Sequence, residues 1–542
     1  MSQPTLVSPR RRLLALLSAE RNDLWVAIIF SIAIGLLSLA VPVATQALVN
    51  TVAFGNLLQP LAVLSLVVLS VLVVSAILQV FRFRVVELLQ RRVFVRLASE
   101  SVNRLLRSRA EALRLQNGPE LVNRFLDVVT VQKAGATLLV EGLSVAMQAL
   151  VGMALLAVYH PWLLAFDAVI LAAMLVVVLP LGSGAVPTAV GESKAKYALV
   201  GWLEEIARNA TTFRGEAEAR FAFDRCDALV QEYLSYRTKH FRIVMRQFAG
   251  SLALQALASA ALLGVGGLLV IERQLTLGQL VAAELVVAGV LSGIAKFAKH
   301  LETLYDLLAA LDKLGSLTDL EVEKSGSEAP PPGTGPVRLT VRSAERWLDV
   351  AAGARIGLVG LSGSGKSTLL DTICGYADAR GGSVELDGVD LRSLRLHEVR
   401  SQVVMVRGIE IFHGSVLDNV RVGRNLNAAA VQNALAQVGV WEAVQQLPGG
   451  VETVLATGGA PLSEGRKQAL MFARALAGRP RLLIIDEALD AVQDTGERDL
   501  LTGLLFDPAS PWTLILVTSR PELLSRCSRV LQLNADGFRE AA

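Results

Sequence analysis

The chain has 542 residues, of which 53% are hydrophobic and only 19% are charged, a balance that excludes an ordinary soluble protein of this length. The formal net charge of +3 is too small to indicate a nucleic-acid-binding protein. The cysteines Cys226, Cys374 and Cys527 have no spacing typical of a metal site, so a reducing compartment is expected.

The N-terminus begins with a basic cluster, Arg10 to Arg12, followed by a short apolar stretch that Glu20 and Arg21 interrupt. A cleaved signal peptide needs a longer apolar core and a small-residue cleavage site, so this pattern does not fit one. It favours a cytoplasmic flank followed by a short helix at the membrane interface.

Six apolar stretches of about 20 residues follow, each long enough to cross a bilayer as a helix. They lie at Leu24–Gln46, Leu57–Phe81, Thr137–Tyr159, Trp162–Leu181, Phe248–Ile271 and Leu277–Phe297. The connections after spans one, three and five are short and nearly free of Lys and Arg, whereas those after spans two and four are long and arginine-rich. By the positive-inside rule, both termini and the two long connections are cytoplasmic.

Three acidic residues lie in or near these spans: Glu284 in span six, Asp167 in span four and Glu141 near one end of span three. A carboxylate in hydrocarbon is costly, so each is a candidate functional residue. The alternatives are the wall of a hydrated cavity or a side chain that reaches the membrane interface.

Beyond span six the pattern changes. A helix is predicted over Lys299–Leu317, and a segment rich in helix-breaking residues follows at Ser325–Pro336, which indicates a linker. Short apolar runs then alternate with helical patterns, which predicts an α/β domain with a largely parallel sheet. The predicted organisation is an all-α six-helix transmembrane domain over residues 1–317, a linker over 318–336 and an α/β domain over 337–542.

The segment Gly360–Ser367 fits the phosphate-loop pattern G-x-x-x-x-G-K-[ST] and follows an apolar run, Ile356–Val359, that predicts a buried strand. An ordinary glycine turn is the alternative. Backbone N–H groups of a glycine-rich loop can surround a phosphate, Lys366 can reach the β- and γ-phosphates, and the Ser367 hydroxyl can bind Mg²⁺. The motif therefore predicts that the α/β domain over 337–542 is a P-loop NTPase domain. The residues predicted to bind ATP here are Gly360, Ser362, Gly363, Ser364, Gly365, Lys366, Ser367 and Thr368.

A second motif lies at Leu482–Glu487, where four apolar residues precede Asp486 and Glu487. Such a run describes a buried strand that presents two carboxylates at its end. Asp486 is predicted to hold Mg²⁺, directly or through water, and Glu487 to polarise the attacking water as the catalytic residue.

With these two motifs the chain resembles the ABC transporters, specifically the exporter-type half-transporters, over about residues 15–535. The resemblance implies that two ATP-binding domains act as a pair, with each ATP between the phosphate loop of one domain and an L-S-G-G-Q signature of the other. The matching segment here is Leu462–Gln468, in which Ser463 and the Gly465 backbone can still donate to a phosphate. Glu464 replaces a glycine and should weaken the closed pair. The alternative is a solvated helix cap.

Three other positions differ from the family's pattern. Its glutamine, which senses Mg²⁺ and water, aligns with Arg407, which could pair with a phosphate or form a substitute pair with Glu410. Its γ-phosphate histidine aligns with Ser519, and the aspartate of its S-A-L-D turn is replaced by Gln493 or shifted to Asp494. The aromatic adenine platform has no clear match, since the nearby Trp347 also suits a core position. Nucleotide binding is therefore expected to be intact and hydrolysis weakened.

The resemblance implies an ATP-driven exporter subunit in the inner membrane, with its ATP-binding domain in the cytoplasm, ATP and Mg²⁺ as cofactors and a second half-transporter as partner. The alternative is an ATP-binding, poorly hydrolysing regulatory subunit of a heterodimeric exporter. Homodimer and heterodimer both remain open, and no motif indicates the translocated substrate.

Overall fold

The computed structural model describes residues 8–52, 58–110, 113, 118–342, 347–379, 381–534 and 537–540. The chain divides into two compact units. The first comprises Met1–Arg107 and Gln116–Leu320, and the second comprises Ser108–Leu115 and Glu321–Ala542.

The first unit is helical. Its α-helices are α1 (Pro9–Ala19), α2 (Arg21–Leu37), α3 (Ala40–Val52), α4 (Leu58–Arg107), α5 (Gly118–Asn123), α6 (Asp127–Thr137), α7 (Leu143–Tyr159), α8 (Pro161–Val178), α9 (Ala185–Arg208), α10 (Glu216–Ile271) and α11 (Leu277–Thr318). A short π-helical segment, Leu138–Gly142, joins α6 to α7 and contains Glu141.

Two of the short connections have sequence-encoded turns. Helix α8 begins with Pro161 in its first turn, where no N–H is needed, and the His160 side chain accepts from the Trp162 N–H. Helix α11 begins with a capping box in which Thr276 and Gln279 each bond the other's backbone N–H. These caps allow two apolar helices to follow each other after only a few residues.

Among the described residues, five helical stretches are long and apolar enough to cross a membrane: Arg21–Asn50, Gln59–Arg107, Leu121–Tyr159, Pro161–Val178 and Glu216–Ile271. The sixth predicted span corresponds to a shorter apolar stretch, Leu277–Val290, within α11. Because α11 continues to Thr318 without a break, the prediction that span six runs on into Lys299–Leu317 is confirmed.

The second unit combines sheet and helix. Its strands are β1 (Leu339–Arg342), β2 (Trp347–Val350), β3 (Arg355–Val359), β4 (Ser383–Leu386), β5 (Val389–Asp390), β6 (Val403–Val406), β7 (Gly414–Ser415), β8 (Val454–Leu455), β9 (Leu482–Asp486), β10 (Thr513–Val517), β11 (Arg529–Asn534) and β12 (Gly537–Glu540). Its helices are α12 (Lys366–Ile373), α13 (Leu396–Gln402), α14 (Val416–Arg421), α15 (Ala428–Gln437), α16 (Trp441–Gln445), α17 (Glu464–Ala477), α18 (Thr495–Phe506) and α19 (Pro521–Leu524).

The main sheet has the order β12-β11-β3-β10-β9-β6, and all neighbours except β11 and β12 are parallel. The predicted α/β domain with a largely parallel sheet is therefore confirmed. Strands β9 and β10 are buried along their whole length, as expected for strands covered on both faces. One apolar core lies between the main sheet, α12 and a smaller sheet of order β2-β1-β4-β5. A second apolar core packs α15, α17 and α18 against the main sheet.

The predicted linker segment packs on the second unit. Glu323 forms a bidentate ion pair with Arg400, and Glu328 forms a parallel bridge with Leu394. Arg481 donates to backbone carbonyls in the proline-rich part of the segment. These contacts hold the segment at one edge of the α/β unit.

Candidate nucleotide-binding site

Four predicted site segments follow directly after neighbouring parallel strands. Gly360 follows β3, Thr518 follows β10, Glu487 follows β9 and Arg407 follows β6. In the strand register Val517 lies opposite both Leu358 and Asp486. The carboxyl ends of parallel strands meet at one edge of a sheet, which is where such folds bind ligands. The sheet thus brings together positions about 160 residues apart.

The phosphate loop has the backbone that its glycines permit. A Cβ at Gly360 would lie 2.6 Å from the Leu533 carbonyl oxygen. Gly365 has φ 94°, in the left-handed region, and caps α12, which begins at Lys366. The first N–H groups of a helix have no partner within it, so the loop and the start of α12 form a preformed anion-binding site. Exposed side chains surround this site: Ser362, Ser367 and Thr368.

The Lys366 side chain folds back over the loop. Its Nζ donates to the Gly360 carbonyl at 2.7 Å and to the Leu361 carbonyl at 3.0 Å. Both acceptors are neutral, so a phosphate would be the stronger partner for this ammonium group. The geometry agrees with the predicted role of Lys366 in binding phosphate.

Arg407 makes the densest set of contacts at this edge. Its Nε donates to Oδ2 of Asp486 at 2.6 Å, its Nη1 to Oδ1 of Asp371 at 2.8 Å, and its Nη2 to the Ser367 carbonyl at 3.3 Å. Burial of the guanidinium opposes its charged form, but the hydrogen bonds and charges of Asp486 and Asp371 outweigh this and raise the pKa of Arg407. The arginine therefore joins α12, β6 and β9 as a permanent cation.

Sequence reasoning missed Asp371 and offered Glu410 as the partner of Arg407. The expectation for Glu410 is wrong, because the ion pairs of Arg407 are with Asp371 and Asp486, while Glu410 is exposed. The signal was available: Asp371 lies one helical turn after Ser367, so both residues share the face of α12 that starts at the phosphate loop.

Ser367 and Asp486 were predicted to hold Mg²⁺, and the arrangement disagrees with that prediction. Asp486 is only 6% exposed, and its Oδ2 already accepts from Arg407. The same guanidinium contacts the Ser367 backbone carbonyl, so a fixed positive charge touches Asp486 and also the residue whose hydroxyl was the other predicted ligand. A divalent cation bound there would meet like-charge repulsion. The donor set, as the structure has it, does not fit Mg²⁺.

Glu487 differs from Asp486 although they are neighbours. It is exposed, and its φ of 58° places a non-glycine residue in the left-handed region, a conformation that concentrates at functional sites. Its N–H donates to the Val517 carbonyl at 3.0 Å, which ties the end of β9 to β10. The carboxylate is thus presented at the sheet edge, as its predicted role as catalytic base requires.

Ser519 is engaged by Asp490 in the turn after β9. The carboxylate of Asp490 accepts from the Ser519 N–H and hydroxyl and from the Thr518 hydroxyl. Asp494, considered above as a shifted turn aspartate, accepts from the Glu497 N–H and caps α18. Asp490 is a second organising residue that sequence reasoning did not single out.

The signature segment lies at the start of α17. Ser463 is the residue before the helix, and exposed Glu464 pairs with Lys467 at 2.6 Å. In the described part of the chain, no hydrogen bond or ion pair connects Ser463 or Gly465 to the chain's own phosphate loop. The sheet edge therefore brings together the phosphate loop, Arg407, Glu487 and Ser519. Ser463 and Gly465 are not part of this group.

Two further expectations have structural outcomes. Trp347 is 68% exposed, so the interpretation of it as a core residue is wrong. Asp167 is 3% exposed and, among the described atoms, neither carboxylate oxygen has a hydrogen-bond partner, which speaks against a side chain that reaches the membrane interface. Glu284 and Glu141 are exposed in the single chain.

Comparison with known proteins covers both units. Residues 24–294 match the family described as ABC transporter transmembrane region, and residues 346–490 match the family described as ABC transporter. A solved structure, a bacterial Atm1-family ABC exporter with ATP bound, superposes with a TM-score of 0.79 over 96% of this chain and 95% of that chain, at 19% identity. That likeness concerns the fold.

Curated relatives match over shorter stretches. The ATP-dependent lipid A-core flippase of Paraburkholderia xenovorans is 35% identical over 187 residues, which is 34% of this chain and 31% of the relative. The flippase of the same name from Vibrio vulnificus is 26% identical over 316 residues, 55% of this chain and 54% of the relative. The chain thus spans between about a third and about half of the length of these relatives.

Proposed function

Because the chain belongs to the ABC transporter family and is a multi-pass protein of the inner membrane, we propose that it is one half of an ATP-driven exporter. In this proposal ATP binds at the carboxyl edge of the main sheet and couples nucleotide chemistry to passage of a substrate through the helical unit. We propose that residues 1–317 carry the substrate, that residues 337–542 bind and hydrolyse ATP, and that residues 318–336 link the two domains.

The convergence of four strand ends on one edge carries the proposal. It supports ATP binding, because the phosphate loop with Lys366, Arg407, the Asp486–Glu487 pair and Ser519 converge there from four separate segments. Backbone N–H groups at the start of α12 would hold the phosphates, with Lys366 as their charged partner. Glu487 would accept a proton from the attacking water.

Hydrolysis in the proposed enzyme is slow. Arg407 withdraws Asp486 from any metal, and Ser519 is bonded to Asp490, so two groups that would assist the reaction are otherwise engaged. The exposed Glu487 is the base that remains. We therefore propose that the chain binds ATP well and turns it over weakly.

A second chain is part of the proposal. Ser463 and Gly465 are candidates to contact nucleotide on a partner half-transporter, which agrees with their lack of bonds to their own phosphate loop in the described structure. The partner is either another copy of this chain or a related subunit. Glu464, exposed beside them, would place a carboxylate near the partner's phosphate and weaken closure of the pair.

One observation favours a second candidate function. The Arg407–Asp486 pair suits an ATP-binding regulatory subunit whose mate performs most of the hydrolysis. The relatives described above are lipid A-core flippases, so a lipid-anchored amphiphile is the first substrate to test under either candidate.

The deciding experiment measures ATP binding, phosphate release and lipid transport by the purified full chain reconstituted alone in vesicles. The exporter proposal predicts binding with slow but measurable phosphate release that substrate stimulates. Binding without any release, together with release after addition of a cognate half-transporter, would support the regulatory subunit. Absence of nucleotide binding would contradict both.

A further inference from the structure

We propose that Arg407 is a resident counter-ion of the nucleotide site and lets this chain bind ATP without Mg²⁺. The inference rests on the proposed nucleotide binding and concerns how the negative charge at that site is neutralised. In this inference the Arg407 side chain neutralises the negative charge that a divalent cation was predicted to neutralise.

The contacts of Arg407 place it beside both residues that were predicted to hold the metal. Its Nε lies 2.6 Å from Oδ2 of Asp486, and its Nη2 lies 3.3 Å from the backbone carbonyl oxygen of Ser367, whose hydroxyl was the other predicted ligand. A metal that joined the first turn of α12 to the end of β9 would therefore lie beside a fixed positive charge. The arginine is held there by Asp371 as a third partner.

The charges of the side chains around Arg407 also support its role as a counter-ion. Asp371 and Asp486 together carry two negative charges beside an anion-binding loop, and without a cation they would repel the phosphates of ATP. Arg407 removes one of these charges permanently, since a guanidinium does not lose its proton in a protein. Lys366 at the loop opposes the remaining charge, so the two aspartates repel an arriving phosphate less than they would without Arg407.

The three side chains of this cluster differ in their exposure to solvent. The Arg407 side chain is 27% exposed, compared with 12% for Asp371 and 7% for Asp486. The two carboxylates are therefore the more deeply buried members of the cluster, and the cation is its most accessible member. Arginine forms strong charge-assisted bonds with phosphate oxygens, so it can serve the nucleotide directly.

The test compares binding of a fluorescent ATP analogue to the full chain in lipid nanodiscs, with excess Mg²⁺ and with a chelator. For the parent chain we expect dissociation constants within about threefold of each other. For Arg407→Gln we expect the chelator to weaken binding by about tenfold or more, because Asp371 and Asp486 then lack their cation. Arg392→Gln, which removes an equal charge from an exposed ion pair, should behave like the parent.

A second measurement does not depend on affinity. Electron paramagnetic resonance of Mn²⁺ should find close to no metal bound with saturating ATP in the parent and about one ion per nucleotide in Arg407→Gln. If Arg407→Gln folds poorly, Asp371→Asn with Arg407→Gln relieves the carboxylate repulsion, and the same Mn²⁺ result is expected.

The outcomes separate the inference from the proposed function. A parent chain that loses about tenfold or more of its affinity in chelator, or that retains one Mn²⁺ per nucleotide, overturns the inference and leaves ATP binding intact. A parent chain that binds no nucleotide under either condition overturns the proposed function itself. Equal metal dependence in the parent and in Arg407→Gln also overturns the inference.

Discussion

The backbone N–H of Ser519 donates to Oδ2 of Asp490 across 3.1 Å, and the Ser519 hydroxyl lies 3.4 Å from the same oxygen. The other carboxylate oxygen accepts from the Thr518 hydroxyl. One aspartate after β9 thus fixes the loop after β10. A residue introduced at position 519 would have a carboxylate beside it, ready to orient a donor.

The first prediction concerns Ser519→His combined with Arg407→Gln. We expect phosphate release about tenfold or more above the parent, because an imidazole oriented by Asp490 can donate to phosphate and the glutamine releases Asp486. Both groups act on the same developing charge, so the double variant should exceed the sum of the two single variants. Steady-state phosphate release from the four chains in the same lipid measures this. A double variant slower than the parent would mean that Arg407 and Ser519 are adaptations.

The second prediction tests the phosphate loop. Lys366→Ala should raise the dissociation constant for ATP by about ten- to a hundredfold, because a charge-assisted bond to phosphate is lost. Photolabelling with an azido-ATP probe measures the change. Lys324→Ala, at an exposed position, provides the control for loss of a lysine. Undiminished labelling of Lys366→Ala would contradict the phosphate-loop assignment.

The third prediction concerns the exposed carboxylate at the end of β9. Glu487→Gln should lower phosphate release by about a hundredfold or more and leave nucleotide binding intact, since a general base is lost while the phosphate contacts remain. Glu442→Gln, also exposed, should match the parent. Release is followed in a single-turnover experiment, and nucleotide retention is followed by filtration. Parent-level turnover in Glu487→Gln would exclude this residue as the base.

The fourth prediction uses Lys313 in α11. Burial lowers the pKa of Lys313 to about 8, from an ordinary value of 10.5, so the folded protein disfavours the charged ammonium. Below about pH 8 the lysine is charged in both states and this cost is fully present. Between about pH 8 and about pH 10.5 the folded state loses the proton first, so stability contributed by this group rises with pH.

The measurement is thermal unfolding of the parent and of Lys313→Met across that pH range. The parent should gain stability relative to Lys313→Met as the pH rises, and the variant should be the more stable chain at neutral pH. The ammonium lies 4.9 Å from the centre of the Tyr197 ring, and methionine preserves most of that packing. Parallel pH curves for the two chains would contradict the assignment.

The α/β arrangement of the second unit was predictable because its signals are local and consistent. An apolar run followed by a glycine-rich loop predicts a strand and a helix start, and β3 and α12 lie where that pattern put them. The same logic located β9 from Leu482 to Asp486. Once the strands are parallel, their ends must meet at one edge, so the grouping of Gly360 with Asp486 follows from topology.

Helical spacing places Asp371 on the face of α12 that starts at the phosphate loop, but its pairing with Arg407 depends on tertiary packing. No local pattern indicates that packing, so the ion pair itself was not predictable. Trp347 illustrates another limit: an aromatic residue in a short strand suits a core, yet its position in the pleat leaves it exposed. Span six was difficult to delimit because α11 has no break between its apolar part and its polar continuation.

The length of α10 has a mechanical consequence. Its 56 residues extend over about 84 Å at the usual rise per residue, nearly three times the thickness of the hydrocarbon layer. A continuous hydrogen-bonded helix of this length transmits a tilt at one end to its other end. A rotation of about 5° about one end displaces the other by about 7 Å, so a small tilt within the bilayer becomes a large swing at the far end of the same helix.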